Sequence, residues 1–551
     1  MPSNIGRGFL FLVVFVGGFT TLGVELSASR LLDPWFGNSL IVWAALIGLI
    51  LLYLAAGYWL GGTLADRWPR LELMLRLAGL AALGVGLTPT FARPVLRLAS
   101  QGVGDLDAAL LAGSMVGILA LFALPVTLLG CISPFAIRLA LRDVQGSGEV
   151  AGRIYALSTA GSILGSFLPV LLLIPNIGTR RTFASLSITL LLVVLIGFLR
   201  TRRRWDALFA LLAAALVIYL GWRPTGPLKP AAGLLFETES AFNYIQVVDA
   251  GVERQLRLNE GEGIHSVYRP AGGLADGIWD YFLIAPAFNP APYRPSQVRR
   301  AYIGGLAAGT IPRLLTEAYG PIPIDGAELD PAIIAAGRAW FDMNAPNLNA
   351  VAADARWFLE RGTLVNWQIG KPGAPDLSTS QPPKSPINQS TDLPGYDLIA
   401  VDAYRPPYIP FHLTTVEFFS LARDRLSDDG VAAVNVGRTH SDFSLVDAIA
   451  ATMGQVFPSV YVIDEPDNGS VLGNSLVVAT RRPTTLADFH RNLPAFDHPL
   501  LAEVGRRVAA HTRVAAPPAA APIFTDDCAP VEQVVHELVL RHMLDGAGRV
   551  R

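Results

Sequence analysis

The segment that decides the fold, Ala301–Gly309, reads AYIGGLAAG, an apolar strand that ends in a glycine-rich turn. Two more short apolar runs, Pro323–Leu329 (PIDGAEL) and Tyr396–Ala403 (YDLIAVDA), each carry an acid near their end. Helix-like runs lie between them, one reaching Tyr319 and the next covering Pro331–Asp342. Strands that alternate with helices at this spacing predict a parallel, doubly wound α/β sheet of the Rossmann-like type.

In such a sheet, ligands bind beyond the carboxyl ends of the strands. The residues at those ends are Gly304, Gly305, Gly309, Glu328, Asp354 and Asp402. An acid that closes the second strand can accept hydrogen bonds from both ribose hydroxyls, and a carboxylate after the third can accept one from an adenine amino group. The chain has no GxxxxGK[ST] motif, and GGLAAG is not GxGxxG, so the pattern favours a nucleoside without phosphates over a pyrophosphate dinucleotide.

These polar residues also have simpler interpretations. Glu328 and Asp354 are alternatively helix N-caps or surface acids, because LDP and DAR resemble helix starts. Asp402 follows four apolar residues, and a carboxylate at the end of a buried strand is typical of a functional site. His265 and His412 have no partner at metal-binding spacing, and the chain has only two cysteines, so no metal site is expected.

The composition divides the chain into two halves. Of 551 residues, 52% are apolar and 16% charged, which excludes a disordered chain, a disulfide scaffold and an ordinary soluble enzyme. Residues 1–223 contain 17 Arg, no Lys and 9 acids, whereas the remainder contains 26 basic and 36 acidic residues. An apolar, Arg-only half before an acidic half predicts a membrane part joined to a soluble part. The soluble half has no basic cluster that indicates nucleic-acid binding.

About seven membrane spans are predicted, each near the 20 apolar residues that cross a bilayer. They are Phe9–Val24, Leu40–Gly62, Leu73–Phe91, Ala108–Ile137, Ile154–Ile174, Phe183–Leu199 and Ala207–Trp222. The fourth is either tilted or broken near Pro125 and Gly130. Glu25 and Arg30 end the first span, as either a transport or coupling site or a pair that fixes the helix end.

The sequence predicts four regions. A multispanning membrane domain covers residues 1–225, and a β-hairpin subdomain on the substrate side covers 234–295, with strands Tyr244–Ala250 and Gln255–Asn259 around Gly251. A Rossmann-like nucleoside-binding catalytic domain covers 296–485, and a helical C-terminal extension covers 486–551. The polar stretch 371–395 is a predicted surface insertion, with a lid over the site as the alternative.

Several motifs together resemble the spermidine synthase (polyamine aminopropyltransferase) family, in particular its bacterial members fused to a multispanning membrane region. They are SAFNYIQV, LNEGEGIHSVY, YIGGLAAGT, DGAELDP, DARWFL, YDLIAVDAYRPPYIPFHLTTVEFF, GVAAVNVG, FTDDCAPVE and, in the membrane half, GVELSASRLLDPWFGNSLIVWAALIG. The resemblance implies a spermidine-synthase fold and an enzyme without a permanent cofactor. Its reaction is the transfer of an aminopropyl group from decarboxylated S-adenosylmethionine to an amine such as putrescine.

The resemblance also implies roles for individual residues. Glu328 is implied at the ribose, Asp354 and Ala355 at the adenine, and Asp402 as the base that deprotonates the attacking amine. The implied donor side comprises Asn243, Gly304, Gly305, Gly309, Glu328, Asp354 and Ala355. The implied substrate side comprises His265, Tyr281, Tyr404 and Arg405.

The chain departs from the family pattern on the acceptor side. Where the family has an acid within the glycine turn, this chain has Ala307, and where the family has a second acid after the base, this chain has Arg405. The family's Tyr-His-Glu segment is replaced by Asp280, Tyr281 and Phe282. The cation Arg405 would repel a bound diamine, which is itself a cation. The nucleoside half of the site is therefore predicted to be kept, and the polyamine half to be altered.

Two other functions therefore remain open. They are transfer from S-adenosylmethionine or its decarboxylated form to a non-polyamine acceptor, and a transporter or sensor with a non-catalytic synthase domain. The expected partners are a small amine or polyamine and the lipid bilayer, without nucleic acid; homo-oligomerisation is left open. An inner-membrane, multi-pass location is expected. The arginine-rich loops place the soluble half outside the cytoplasm if Ala207–Trp222 crosses the membrane, whereas cytosolic S-adenosyl donors favour the cytoplasmic side.

Overall fold

A computed structural model describes residues 7–37, 40–100, 107–141, 147–223, 226–259, 263–361, 395–404, 409–466, 472–535 and 537–538. The chain divides into two compact units. The first unit comprises residues 1–248 and 257–263, and the second comprises 249–256 and 264–551. The four regions expected from the sequence stay a prediction.

Long apolar helices make up most of the first unit. They are α1 (Arg7–Phe36), α2 (Leu40–Arg67), α3 (Leu71–Ser100), α4 (Asp107–Gly130), α5 (Ile132–Ala140), α6 (Ser147–Leu168), α7 (Ile174–Arg200) and α8 (Arg204–Trp222). Helix α1 packs against α6 and α7, α2 against α4, and α3 against α4 and α7. Helix α4 continues through Pro125 and ends at Gly130, so the break expected in the fourth span falls at the glycine.

Six helical stretches in the described part of the chain are long and apolar enough to cross a membrane. The fifth, Ser147–Arg200, contains two predicted spans in one stretch of 54 residues. A π-helical turn at Pro169–Leu173 and a non-helical Gly178 interrupt it. An N-terminal set of apolar helices compatible with a membrane domain is thus confirmed, and the count of seven spans stays a prediction.

A small sheet follows the helices. Its strands are β1 (Leu234–Glu239), β2 (Tyr244–Asp249), β3 (Arg254–Leu258) and β4 (Ile264–Tyr268), in the order β1-β2-β3-β4. Strands β1 and β2 are antiparallel.

The second unit contains an eight-stranded sheet of order β12-β10-β11-β9-β8-β5-β6-β7. Its strands are β5 (Ala301–Gly304), β6 (Ile324–Glu328), β7 (Leu348–Ala352), β8 (Tyr396–Val401), β9 (Leu426–Thr439), β10 (Ser459–Asp464), β11 (Leu472–Thr480) and β12 (Thr512–Val514). Strands β9, β8, β5, β6 and β7 are parallel, and β10–β12 extend the sheet with antiparallel pairing. The parallel α/β sheet predicted from the sequence is confirmed.

Helices cover both faces of this sheet. They are α9 (Thr310–Tyr319), α10 (Pro331–Trp340), α11 (Ala355–Arg361), α12 (Val416–Arg425), α13 (Ser444–Gly454), α14 (Leu486–Asn492) and α15 (Pro499–Val508). Successive side chains of a strand point to opposite faces of the sheet, and each face has its own hydrophobic core. In β5, Ile303 belongs to the core that also includes residues of α9, α10 and α15, whereas Tyr302 belongs to the core that includes residues of α11–α13. The C-terminal region expected to be helical also contributes the edge strand β12.

Candidate functional site

The site lies where the order of the parallel strands reverses. From β5 the chain proceeds to β6 and β7 on one side, whereas β8 and β9 lie on the other. The carboxyl ends of β5 and β8 therefore border a crevice, the usual ligand position in such sheets. The backbone N–H of Asp402 donates to the carbonyl of Gly304 at 2.8 Å, and the backbone N–H of Gly305 donates to the carbonyl of Ala327 at 3.0 Å. Gly305 and Gly309 have φ of +91° and +95°, values that favour glycine.

Glu328 ends β6 beside the glycine turn. One carboxylate oxygen accepts the N–H of Ala307 at 2.9 Å, and the other accepts that of Asp330 at 3.1 Å. Asp330, rather than Glu328, caps helix α10 through the N–H of Ala332. Burial raises the pKa of Glu328 to about 7 despite these two hydrogen bonds. The backbone of Leu329 donates a third hydrogen bond, and a carboxylate has about four lone-pair positions, so Glu328 can still accept a hydrogen bond from a ligand hydroxyl.

Asp354 follows β7 and has two partners. One oxygen accepts the N–H of Trp357 at 2.9 Å, as a helix N-cap does, and the other lies 2.7 Å from Nε2 of His412. Burial raises its pKa, but the bonds from His412 and Trp357 outweigh burial and hold the pKa below its usual value. Ala355 lies against the glycine turn, since a Cβ on Gly304 would be 3.1 Å from its own.

Asp402 is the acid nearest the strand reversal. Nδ2 of Asn435 donates to its Oδ1 at 2.8 Å, and the side chain of Trp279 donates a second hydrogen bond. Burial raises the pKa of Asp402 to about 7, although both hydrogen bonds lower it. A carboxylate with a pKa near neutrality can accept a proton at neutral pH and release it again, as a general base must.

Among the predicted substrate-side residues, Tyr404 is the one that the described contacts link to Asp402. The hydroxyl of Tyr404 donates to the carbonyl oxygen of Asn435 at 3.3 Å. Burial raises the pKa of Tyr404, and the charge of Asp402 adds to this shift. Burial raises the pKa of Tyr281 to about 12, and Glu465 adds to this shift. Burial lowers the pKa of His265 to about 4, so its ring is neutral at pH 7. Arg405 lies outside the described residues, as do positions 371–394 of the predicted insertion.

The segment aligned with the family's Tyr-His-Glu has a different structural role. It lies in a 3-10 helix, Ile278–Phe288. The carboxylate of Asp280 accepts the N–H groups of Ala275 and Asp276, and burial raises its pKa to about 6. Phe282 is fully buried in a hydrophobic core. Trp279 is therefore the residue of this segment that reaches the candidate base.

Asn243 belongs to the first unit, whereas the other described candidate residues belong to the second. It directly precedes β2, and its side-chain oxygen accepts a hydrogen bond from Nδ2 of Asn259 at 3.2 Å. Oδ1 of Asn259 in turn accepts the N–H of Tyr244. The role of Asn243 near the sulfur of the donor stays a prediction.

Three residues that hydrogen-bond to the candidate site from distant parts of the chain were not predicted from the sequence. Ser266 accepts the N–H of Ala308 in the glycine turn at 2.9 Å, and Trp279 and Asn435 hold Asp402. The asparagine within the apolar strand AAVNVG was a usable signal, because a buried amide needs partners. Ser266 and Trp279 lie in segments with no comparable pattern.

The C-terminal motif FTDDCAPVE contacts residues next to Asp354. Both carboxylate oxygens of Asp526 accept from Arg356 at 2.6 Å, and one also accepts from Thr415. Arg356 donates to the carbonyl of His412 at 3.2 Å, so this motif helps to hold the partner of Asp354. The motif thus has a supporting role in the described structure.

The chain is similar in sequence to proteins named polyamine aminopropyltransferases. A probable polyamine aminopropyl transferase of Bifidobacterium longum is 26% identical over 355 residues, which cover 61% of this chain and 70% of that protein. A polyamine aminopropyltransferase of Vibrio vulnificus is 28% identical over 193 residues, which cover 35% and 52%. A solved structure of a probable spermidine synthase from Corynebacterium glutamicum has a TM-score of 0.39 at 20% identity, covering 54% of this chain and 97% of that one. No family model matches the chain.

Proposed function

Since this chain is related to the spermidine synthase (polyamine aminopropyltransferase) family, we propose that it transfers an aminopropyl group from decarboxylated S-adenosylmethionine to an amine. The observation that carries the proposal is a carboxylate of raised pKa, Asp402, bonded through its own amide to the glycine turn at Gly304. A proton acceptor thus directly adjoins a turn suited to a nucleoside.

The reaction needs few groups. The amine nitrogen attacks the aminopropyl carbon attached to the sulfonium, the new C–N bond forms as the C–S bond breaks, and neutral methylthioadenosine leaves. Asp402 accepts a proton from the ammonium form of the acceptor, which frees the nitrogen lone pair for the attack, and later releases this proton to water. Because the sulfonium is already a good leaving group, positioning and proton removal are the main tasks of the protein.

On the donor side, we assign the binding of one part of the nucleoside to each strand end. Glu328 receives the ribose hydroxyls, and Asp354 with Ala355 receives the adenine. The glycine turn lies beneath the nucleoside. Asn243 approaches the sulfur. The acceptor side is assigned to His265, Tyr281, Tyr404 and Arg405, with Asp402 as the base.

Replacing Glu328 by Gln tests the donor site. We expect binding of methylthioadenosine to weaken about 10–100-fold, because charge-assisted hydrogen bonds worth about 1.5–3 kcal/mol are lost. Isothermal titration calorimetry on the full chain in detergent measures this. Glu317→Gln is the matched control, since Glu317 pairs with Arg313 on α9, away from the rim. Equal affinities of the wild type and Glu328→Gln would contradict the assignment of Glu328.

The pH profile tests the base. Because the raised pKa of Asp402 is about 7, its ionised form is lost as the pH falls through 7. At saturating donor, kcat/KM for the amine is expected to fall about tenfold per pH unit below 7. Trp279 lowers this pKa, so Trp279→Phe should move the midpoint to higher pH. A midpoint that stays in place in this variant argues against Asp402 as the titrating group.

A second candidate is transfer to a non-polyamine acceptor. It is favoured by the absence of acids where the family holds its amine, since Ala307 lies in the turn and Phe282 is buried. Incubating the full chain with S-adenosylmethionine or its decarboxylated form, and identifying the products by mass spectrometry, distinguishes methyl from aminopropyl transfer. Consumption of neither donor would instead favour a non-catalytic transporter or sensor.

The proposed location is the inner membrane, with the second unit on the cytoplasmic side, where S-adenosyl donors are made. The apolar helices of the first unit support membrane insertion. Protease protection of the C-terminal region in inside-out and right-side-out vesicles tests the side. Homo-oligomerisation is testable on the same material by mass photometry.

A further inference from the structure

A short loop, residues 273–277, precedes the 3-10 helix and sets the position of Trp279 near the start of that helix. The ring of Trp279 lies on Gly277, because a Cβ at this glycine would be 2.9 Å from the ring. The side chain of Trp279 donates a hydrogen bond to Asp402. Asp276 has φ of +59°, a conformation that few residues with a side chain adopt. The contact of the indole with Asp402 therefore depends on the shape of this turn.

Three arginines from different elements hold the 273–277 loop. Arg269, directly after β4, donates to one carboxylate oxygen of Asp276 at 2.6 Å. Arg507 of α15 donates to the other oxygen at 2.8 Å. Arg313 of α9 donates to the carbonyl of Gly273 at 3.1 Å. Hydrogen bonds between ionised partners are the strong ones, so the conformation of the loop is fixed mainly from outside it.

Asp280 holds the same loop from the helix that follows. Its carboxylate accepts the N–H groups of Ala275 and Asp276, at 2.8 and 2.9 Å. The residue is 1% exposed, and Nη1 of Arg507 lies 3.9 Å from its carboxylate. The charge of Asp280 also acts on Arg313. Arg507 thus faces both acids of the turn, and a buried carboxylate needs such a cation nearby.

The loop acts on Asp402 through one side chain. Two neutral donors, Asn435 and Trp279, bind the carboxylate of Asp402, and Tyr404 is the titratable group beside it. Asn435 extends from β9, so its position is set by the sheet. Trp279, in contrast, is placed by the 273–277 loop. A change in that loop should therefore reach Asp402 through the indole.

We propose that Arg507 is a positioning residue for the candidate base: through Asp276 it fixes the 273–277 loop so that the indole of Trp279 donates to Asp402. All of these residues belong to the second unit. The catalytic meaning of the contact rests on the proposed function, whereas the link from Arg507 to Asp402 rests on the described contacts. Helix α15 of the C-terminal extension thereby becomes part of the site.

The pH profile of the full chain in lipid nanodiscs, with decarboxylated S-adenosylmethionine and putrescine, tests the proposal. We expect Arg507→Ala to raise the midpoint of the kcat/KM profile by about half a pH unit, or to lower kcat/KM about threefold at pH 6, because a bond to the ionised carboxylate is weakened. In a Trp279→Phe background the same change should shift the midpoint by less than about 0.1 unit, since residues that act through one another are not additive. Arg506→Ala is the matched control, because Arg506 precedes Arg507 on α15 and also pairs with Glu503.

Asp276→Asn is a second variant for the same link. Asparagine tolerates a positive φ, so the backbone of the turn is kept while the ion pairs with Arg269 and Arg507 are lost. The midpoint should rise at least as much as in Arg507→Ala. If Arg507→Ala shifted the midpoint equally with and without Trp279, its charge would act on Asp402 directly, and the proposal would be overturned. An unchanged midpoint would overturn it as well.

The fluorescence of Trp279 provides a readout that does not depend on a substrate. In each background, the difference in emission between the chain with and without Trp279→Phe isolates this indole, whose surroundings change as Asp402 titrates. Asp402→Asn should abolish the pH-dependent part of this emission. The midpoint should rise by the same half unit in Arg507→Ala and stay in place in Arg506→Ala. A wild type that transfers no aminopropyl group would overturn the proposed function, and this titration would still decide whether Arg507 acts on Asp402.

Discussion

Replacing Asp402 by Asn is expected to lower kcat for aminopropyl transfer by about 10²–10⁴-fold while leaving methylthioadenosine affinity within about twofold. The amide keeps the size of the side chain but cannot accept the proton that the acceptor's ammonium group must lose before its nitrogen can attack. Its position beside Gly304 depends on the backbone amide, which the substitution does not change. Steady-state kinetics at saturating donor and calorimetric titration measure the two quantities.

Asp424→Asn is the control for this change, since Asp424 is an exposed acid on α12 of the same unit. The stability of the Asp402 variant gives an independent check. Because its folded-state pKa is raised, protonated Asp402 contributes stability that is present at low pH and is lost as the pH rises to about 7. The melting temperature of Asp402→Asn relative to that of the wild type should therefore be higher at pH 8 than at pH 5. Unchanged transfer kinetics would rule out Asp402 as the base.

Substituting Gly305 by Ala is expected to destabilise the second unit by about 3 kcal/mol and to abolish detectable nucleoside binding. A Cβ at this position would lie 2.4 Å from the carbonyl oxygen of Asp402, and the residue has φ of +91°. The glycine turn and the end of β8 would have to move apart, which separates the nucleoside site from the base. Thermal unfolding and titration with methylthioadenosine measure both effects.

Gly320→Ala separates the clash from the cost of positive φ. Gly320 also has a positive φ of +82°, but a Cβ there meets nothing within 4 Å. This control should lose about 1–3 kcal/mol, the cost of a residue with a side chain at φ +82° and ψ −173°, and bind the nucleoside normally. If Gly305→Ala bound the nucleoside as well as Gly320→Ala does, the close approach of Gly305 to Asp402 would have no importance for the site.

Some features could be predicted because they depend on local pattern. The strand and turn of AYIGGLAAG, with acids near the ends of the following strands, predicted the parallel sheet and the positions of Glu328 and Asp402 along its edge. The regular geometry of parallel strands brings their carboxyl ends to the same edge, whatever the details of packing. The apolar runs likewise predicted the helices of the first unit, since length and hydropathy suffice for that purpose.

Other features depend on contacts between residues distant in the chain. Asp354 has His412 as a partner 58 residues away, Arg30 binds carbonyls more than 200 residues away, and Trp279 donates to Asp402 from a 3-10 helix. No periodic pattern marks these pairs, because each partner is chosen by how whole elements pack and by which buried polar groups remain to be satisfied. The sequence was therefore sufficient to predict that the candidate residues follow one another along one edge of the sheet. Only tertiary packing decided which other side chains bind these residues, orient them and change their pKa.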